Sequence, residues 1–111
     1  MNTLSTGELQ QRIDNNDDFL LINTLPPDDF KTTNIPGSLN IPENRDDFVE
    51  QVKTSAGGKE KPVVVYCASK ECNSSTSAAE KLEDAGFEEV YDYEGGAEAW
   101  RKAGKEITIT V

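Results

Sequence analysis

Apolar residues in this chain come in short runs separated by polar, turn-forming segments. Ser5-Thr6-Gly7-Glu8 has the form of a capping box, with Ser5 as N-cap and Glu8 reaching back. Leu9 and Ile13 then give a short helix one apolar face. Asn15 to Asp18 is turn-like, and Phe19-Leu20-Leu21-Ile22 reads as a strand buried on both faces, stopped by Pro26-Pro27. Asp28 to Thr33 has room for one helical turn around Phe30. Ile35-Pro36-Gly37 is a turn before a short strand, Ser38 to Ile41, closed by Pro42. Asn44 is placed to cap a helix through Phe48, Val49 and Val52, with Asp46 and Asp47 in its first turn. After the polar loop Gly57 to Lys61 comes Pro62-Val63-Val64-Val65-Tyr66, β-branched and unbroken, the strongest strand signal. A loop from Cys67 to Asn73 leads to a helix from about Ser74 to Ala85, ended by Gly86. Val90 to Tyr93 is another strand. Gly95-Gly96 opens a last helix carrying Trp100 and closed by Gly104, and Ile107 to Val111 alternates like a final strand.

Helices and buried strands thus alternate, which predicts an α/β fold with a mainly parallel central sheet and helices on both faces. With 111 residues the chain is read as one domain, 1–111. No apolar run approaches the ~20 residues of a membrane-spanning helix. The start MNTLSTGELQ lacks the basic and apolar regions of a signal peptide.

Charge and composition then narrow the chemistry. Asp and Glu number 21 against 11 Lys and Arg, a net charge of −10. Nucleic acid and anionic membrane are unlikely partners for such a surface, whose plainest role is solubility. The chain has no histidine, so Ser-His and Cys-His nucleophile pairs and His metal ligands are excluded. Its two cysteines cannot form a four-ligand zinc site alone. Asp28-Asp29 and Asp46-Asp47 are read as helix-start charges rather than metal ligands. Trp100, Tyr91 and Tyr93 are read as packing against the sheet rather than as a pocket.

Sites in open α/β sheets lie beyond the carboxyl ends of the strands. Cys67 occupies that place, followed by Ala68-Ser69-Lys70-Glu71-Cys72-Asn73-Ser74 and a helix start. Unpaired N–H groups at a helix N-terminus, joined by amides of a curled loop, favour thiolate over thiol and hold an anionic adduct. Lys70 adds positive charge, which Glu71 largely offsets. The alternative is that Cys67 is a small, inert core residue. Cys72 is either a resolving thiol for Cys67 or an ordinary loop residue. Ser69, Ser74 and Ser75 either face the adduct or cap the helix, and capping is the preferred reading for Ser74 or Ser75.

These residues resemble the rhodanese domain family, the single-domain sulfurtransferases. The resemblance runs over nearly the whole chain: LLINTLPPDDF, then NIPGSLNIP, VVVYC, AAEKLEDAGF and VYDYEGGAEAW with AG close behind. Gly-Gly-x3-Trp and Ile-Pro-Gly followed by a small residue are the more specific elements. The resemblance implies a rhodanese-like three-layer sandwich around a central, mostly parallel five-stranded sheet. It also implies a cysteine, by position Cys67, that carries sulfane sulfur as a persulfide. The persulfide-binding loop would be Ala68, Ser69, Lys70, Glu71, Cys72, Asn73 and Ser74. The chain departs from the family at three polar positions: Asn23 and Leu25 stand where an Asp and an Arg are usual, and Asn34 where a His is usual. Its loop is also longer than the common one.

The expected activity is sulfur transfer from a small donor or a persulfide-bearing protein to an acceptor thiol or another nucleophile such as cyanide. The competing readings are a catalytically silent rhodanese-like binding module and a Cys67–Cys72 dithiol redox protein. A phosphatase is rejected, because six positions after Cys67 stands Asn73 and the loop holds no arginine. No metal or organic cofactor is implied. A monomer in the cytoplasm is expected, since the two thiols read as functional.

Overall fold

The computed structural model describes residues 2–108. Its elements are β1 (Asn2–Thr3), α1 (Thr6–Asp14), β2 (Leu20–Asn23), α2 (Pro27–Thr33), β3 (Leu39–Asn40), α3 (Phe48–Ala56), β4 (Val63–Tyr66), α4 (Ser74–Asp84), β5 (Val90–Tyr93) and α5 (Gly96–Lys102). The five strands pair in parallel in the order β1-β5-β4-β2-β3. The best strand by sequence, β4, sits at the centre and is buried along its whole length.

The two-residue alternation of β4 divides the core. Val63 and Val65 pack with Phe48, Val52, Ala78, Ala79 and Leu82, which places α3 and α4 on one face. Val64 and Tyr66 pack with Leu9, Tyr93, Ala97 and Trp100, which places α1 and α5 on the other. Both faces of the sheet are therefore covered, as a parallel sheet requires. Trp100 is packed as expected, edge-on to Tyr93 at 6.4 Å, and its indole N–H donates to the Glu106 carbonyl at 2.9 Å.

Most of the punctuation reads through into structure. Ser5 and Glu8 form the reciprocal capping box. Gly86, at φ +92°, follows α4 in the left-handed region. Three expectations need correction. The first concerns α3, which starts at Phe48 with Asp47 at the N-cap, so Asn44 lies in the preceding turn and Asp46 outside the helix. Arg45 binds the Asp47 carboxylate through both Nε and Nη2, at 2.8 and 3.0 Å, taking the side chain that would have capped. The second is that the fifth strand is β1, at the start of the chain. It is two exposed residues long and has no sequence signal of its own; its partner β5 holds it. The third is the expected strand Ile107 to Val111. Thr108 makes one antiparallel bridge with Asn34, and residues 109–111 lie outside the described residues.

Candidate active site

Two strands end side by side at the carboxyl edge of the sheet, β2 at Asn23 and β4 at Tyr66, which are register partners. The residue after Tyr66 is Cys67, with 1% of its surface exposed. Alternation turns Cys67 towards the α4 face, because Val63 and Val65 already point there. The loop then climbs back to α4, and Cys72 is bonded to Cys67 as a disulfide with a Cα–Cα distance of 6.3 Å. The loop cysteines that the sequence places five apart are thus brought together.

Oxygens of three residues lie close to Cys67 Sγ: the carbonyls of Cys72 at 3.4 Å and Ser69 at 3.8 Å, and the Ser75 hydroxyl at 3.7 Å. Carbonyl oxygens beside a sulfur oppose negative charge on it, so this loop arrangement suits the disulfide. Ser75 corrects the capping expectation. It is the second residue of α4, is 1% exposed, and points at Cys67 Sγ, while Asn73 is the N-cap and caps with no side-chain bond. Ser74 opens the helix as its first residue. Lys70, Glu71 and Asn73 are exposed. The Glu71 carboxyl is held below its usual range, first by its own backbone N–H and next by the Ser69 hydroxyl, with Lys102 and Lys70 adding to both.

The loop rests on α5. The N–H groups of Ala97 and Glu98 donate to the Cys67 and Ala68 carbonyls at 2.9 and 2.8 Å. Gly96 makes this approach possible: at φ +64° a Cβ there would meet the Cys67 carbonyl oxygen at 2.3 Å. The Gly-Gly pair therefore does more than turn the chain into a helix.

Behind the loop, Tyr66 ties three segments together. Its hydroxyl donates to the Thr33 carbonyl at 3.1 Å, accepts from Ile35 N–H at 2.9 Å and shares a hydrogen bond with Ser38 Oγ at 2.8 Å. Burial pushes this phenol up from its usual value. Asn23 is fully buried. Its amide donates to the Thr33 carbonyl and hydroxyl at 3.2 and 3.1 Å, and its oxygen accepts from Leu25 N–H at 3.0 Å. A neutral amide and a buried Leu25 thus occupy the two positions at which the sequence departs from the family's usual Asp and Arg. Asn34 accepts from Ser38 Oγ at 2.7 Å and ends α2.

Neither Asp92 nor Arg101 carries a site signal in the sequence. Asp92 is 1% exposed on β5, beneath the first turn of α4. Its Oδ2 accepts from Thr76 Oγ1 at 2.8 Å, and among the described residues its Oδ1 has no partner. Arg101 helps line a cleft of about 330 Å³ with Ala68, Ser69, Ala97, Glu98, Thr32 and Thr33. A larger cleft, about 530 Å³, lies around β1 and α1; neither cleft is lined by a cysteine, and the smaller one includes Ala68 and Ser69, the two residues after Cys67.

This arrangement, a cysteine directly after the central strand of a five-stranded parallel sheet and facing a helix start, defines a class of α/β proteins. A model of the Rhodanese-like domain family matches residues 5–103, and the chain belongs to that family. It is 33% identical over 91 residues to a thiosulfate sulfurtransferase, GlpE, of Pseudomonas syringae, covering 81% of this chain and 79% of that one. A sulfurtransferase of Allochromatium vinosum is 28% identical over 107 residues, covering 96% and 94%. Among solved structures, BH2092 of Bacillus halodurans superposes with a TM-score of 0.83 at 28% identity, covering 95% of this chain and 74% of that one. A thiosulfate sulfurtransferase of Pseudomonas aeruginosa gives 0.85 at 24% identity; it covers 96% of this chain but 20% of that longer one, and bears on fold alone. Together the family and these relatives support sulfurtransferase activity in general terms.

Proposed function

We propose that the protein moves sulfane sulfur as a persulfide on Cys67. The observation that carries this reading is the position of Cys67, directly after β4 and against the first turn of α4 beside Ser75. A helix start favours an anionic sulfur, and without histidine in the chain that activation is what remains available.

The cycle starts with reduction of the Cys67–Cys72 disulfide by a thiol or dithiol. The freed Cys67 thiolate attacks the outer sulfur of the donor. The donor's S–S bond breaks, and sulfite or a thiolate leaves with the bonding pair. An acceptor thiolate then attacks the outer sulfur of the persulfide and departs as the new persulfide, returning Cys67 as thiolate. Exchange of this kind needs an in-line approach and a good leaving group but no base. The loop Ala68, Ser69, Lys70, Glu71, Cys72, Asn73 and Ser74 would surround the adduct, and its Ser69 and Cys72 carbonyls must turn away for the anion to form. Cys72 serves as the resolving thiol: its thiolate attacks the Cys67 sulfur of an undischarged persulfide, the disulfide forms, and the outer sulfur leaves as hydrosulfide. A reducing compartment such as the cytoplasm suits this cycle.

The disulfide itself favours a second reading, a dithiol redox protein. Sulfur transfer to cyanide or a thiol, measured on pre-reduced protein, separates the two. Transfer is expected to vanish in Cys67→Ser and to persist in Cys72→Ser. Equal loss in both variants would favour the redox reading. No transfer by the reduced wild type, with Cys67 open to alkylation, would point to a binding module.

A further inference from the structure

The start of α4 has little support from its own sequence. Its N-cap, Asn73, makes no side-chain hydrogen bond, and its first turn, Ser74 to Ser77, carries no charged residue. A side-chain anchor comes from β5 instead. Thr76 Oγ1 donates to Asp92 Oδ2 at 2.8 Å. Asp92 is itself fixed by the sheet. It is the register partner of Val65 on β4 and of Thr3 on β1, and its carbonyl accepts from the Leu4 N–H at 3.2 Å.

A carboxyl group is a costly anchor at this place. Asp92 is 1% exposed and its Oδ1 has no partner among the described residues, so an apolar side chain filling the same space would stabilise the fold more. Packing therefore does not account for it, but its position relative to the sulfur does. Val65 and Cys67 follow one another on the α4 face of the sheet, and Asp92 stands beside Val65 on that face. Ser75 and Thr76 are consecutive in the first turn above them. Ser75 Oγ lies 3.7 Å from Cys67 Sγ over β4, while Thr76 is bonded to Asp92 over β5. The turn thus straddles two strands, and anchoring one residue sets the rotation and height of its neighbour.

We propose that Asp92 is a positioning residue: through Thr76 it holds the first turn of α4 so that the Ser75 hydroxyl stays against Cys67 Sγ. Once the disulfide is reduced, that hydroxyl is free to donate a hydrogen bond to a sulfur anion on Cys67. What the anion then does rests on the sulfur-transfer reading above; the placement of Ser75 does not.

The test uses the reduced Cys72→Ser protein, in which Cys67 is the only cysteine. The thiolate is followed against pH by its ultraviolet absorbance, which needs no reagent to reach a buried sulfur. Thr76→Val keeps the shape and removes the hydroxyl. It leaves every charge of the surrounding elements in place: Asp92 on β5, Lys70 and Glu71 in the loop, and Glu98, Arg101 and Lys102 on α5. It is expected to raise the Cys67 titration midpoint by about one pH unit, and Thr76→Ser to restore it. Asp92→Asn keeps an oxygen for Thr76 and is expected not to raise the midpoint. In a Ser75→Ala background Thr76→Val is expected to add nothing, because Asp92 acts through Ser75. No shift with Thr76→Val, an equal shift in the Ser75→Ala background, or a rise with Asp92→Asn would each overturn the proposal. A lower Tm without any shift would also overturn it, since that marks a purely structural anchor. The expected shifts in a protein that transfers no sulfur would support the placement while removing the sulfur-transfer reading.

Discussion

Gly96 lies against the Cys67 carbonyl, where a side chain has no room. It combines a positive φ of +64° with a Cβ position 2.3 Å from the Cys67 carbonyl oxygen, so neither backbone nor loop tolerates a side chain there. Gly96→Ala is expected to destabilise the fold by about 2 kcal/mol or more and to lower Tm by about 5–10 °C. Transfer activity measured well below that Tm should fall as well, because the Cys67 carbonyl has to move. Unchanged stability and activity would show that α5 does not position the loop. Asn23 shows what one residue can hide from a sequence reading. The sequence shows that the family's acid and base are gone, which reads as a lost ion pair. The structure supplies neutral hydrogen bonds from Asn23 to Thr33 and Leu25 instead, avoiding the desolvation of two charges at a buried position. That replacement depends on where Thr33 lies, and nothing local to Asn23 encodes it.

Helix starts are the elements where charge and structure meet. Glu8 is held below its usual range, mainly by the Ser5 backbone N–H, and Asp47, bound by Arg45 and Gln51, falls to about 2 from the usual 3.8. Both carboxyls are depressed, so their stabilisation is in place above the unfolded value and is lost as pH falls through the folded one. The wild type should therefore melt slightly above Asp47→Asn near neutrality, and the gap should close as pH drops from about 3.8 towards 2. A gap that persists at the acid end would mean that the Asp47 charge is not the cause. Elements with a strong period or a punctuating residue were legible: β4 from its β-branched run, α4 from its alanines and Gly86, α1 from its capping box. Elements defined by partners were not. β1 is two residues supported by β5, and α3 starts after Asp47 rather than Asn44, following a turn in which the Phe48 N–H donates to the Arg45 carbonyl. The same division holds at the site. Cys67 and its loop follow from strand, loop and helix order. Ser75 at the sulfur, Asp92 under α4 and Arg101 in the cleft depend on how separate elements meet.

At the scale of the whole molecule, a net charge of −10 surrounds the site proposed to receive an anionic sulfur donor. Approach of thiosulfate, a dianion, is opposed at long range, and salt screens that opposition beyond about 8–10 Å. Thiosulfate turnover should therefore rise with moderate salt; a flat or falling profile would show that local groups dominate instead. The parallel sheet brings Cys67, the start of α4 and the side of α5 to one edge, although they lie far apart along the chain. The reading of that edge as a sulfur carrier depends on one atom, Cys67 Sγ. The most direct test is intact mass after reduction and exposure, separately, to thiosulfate and to a small persulfide, with wild type beside Cys67→Ser and Cys72→Ser. The predicted result is a gain of one sulfur atom that requires Cys67 and survives loss of Cys72. No gain with either donor, while reduced Cys67 still accepts an alkylating reagent, would contradict it.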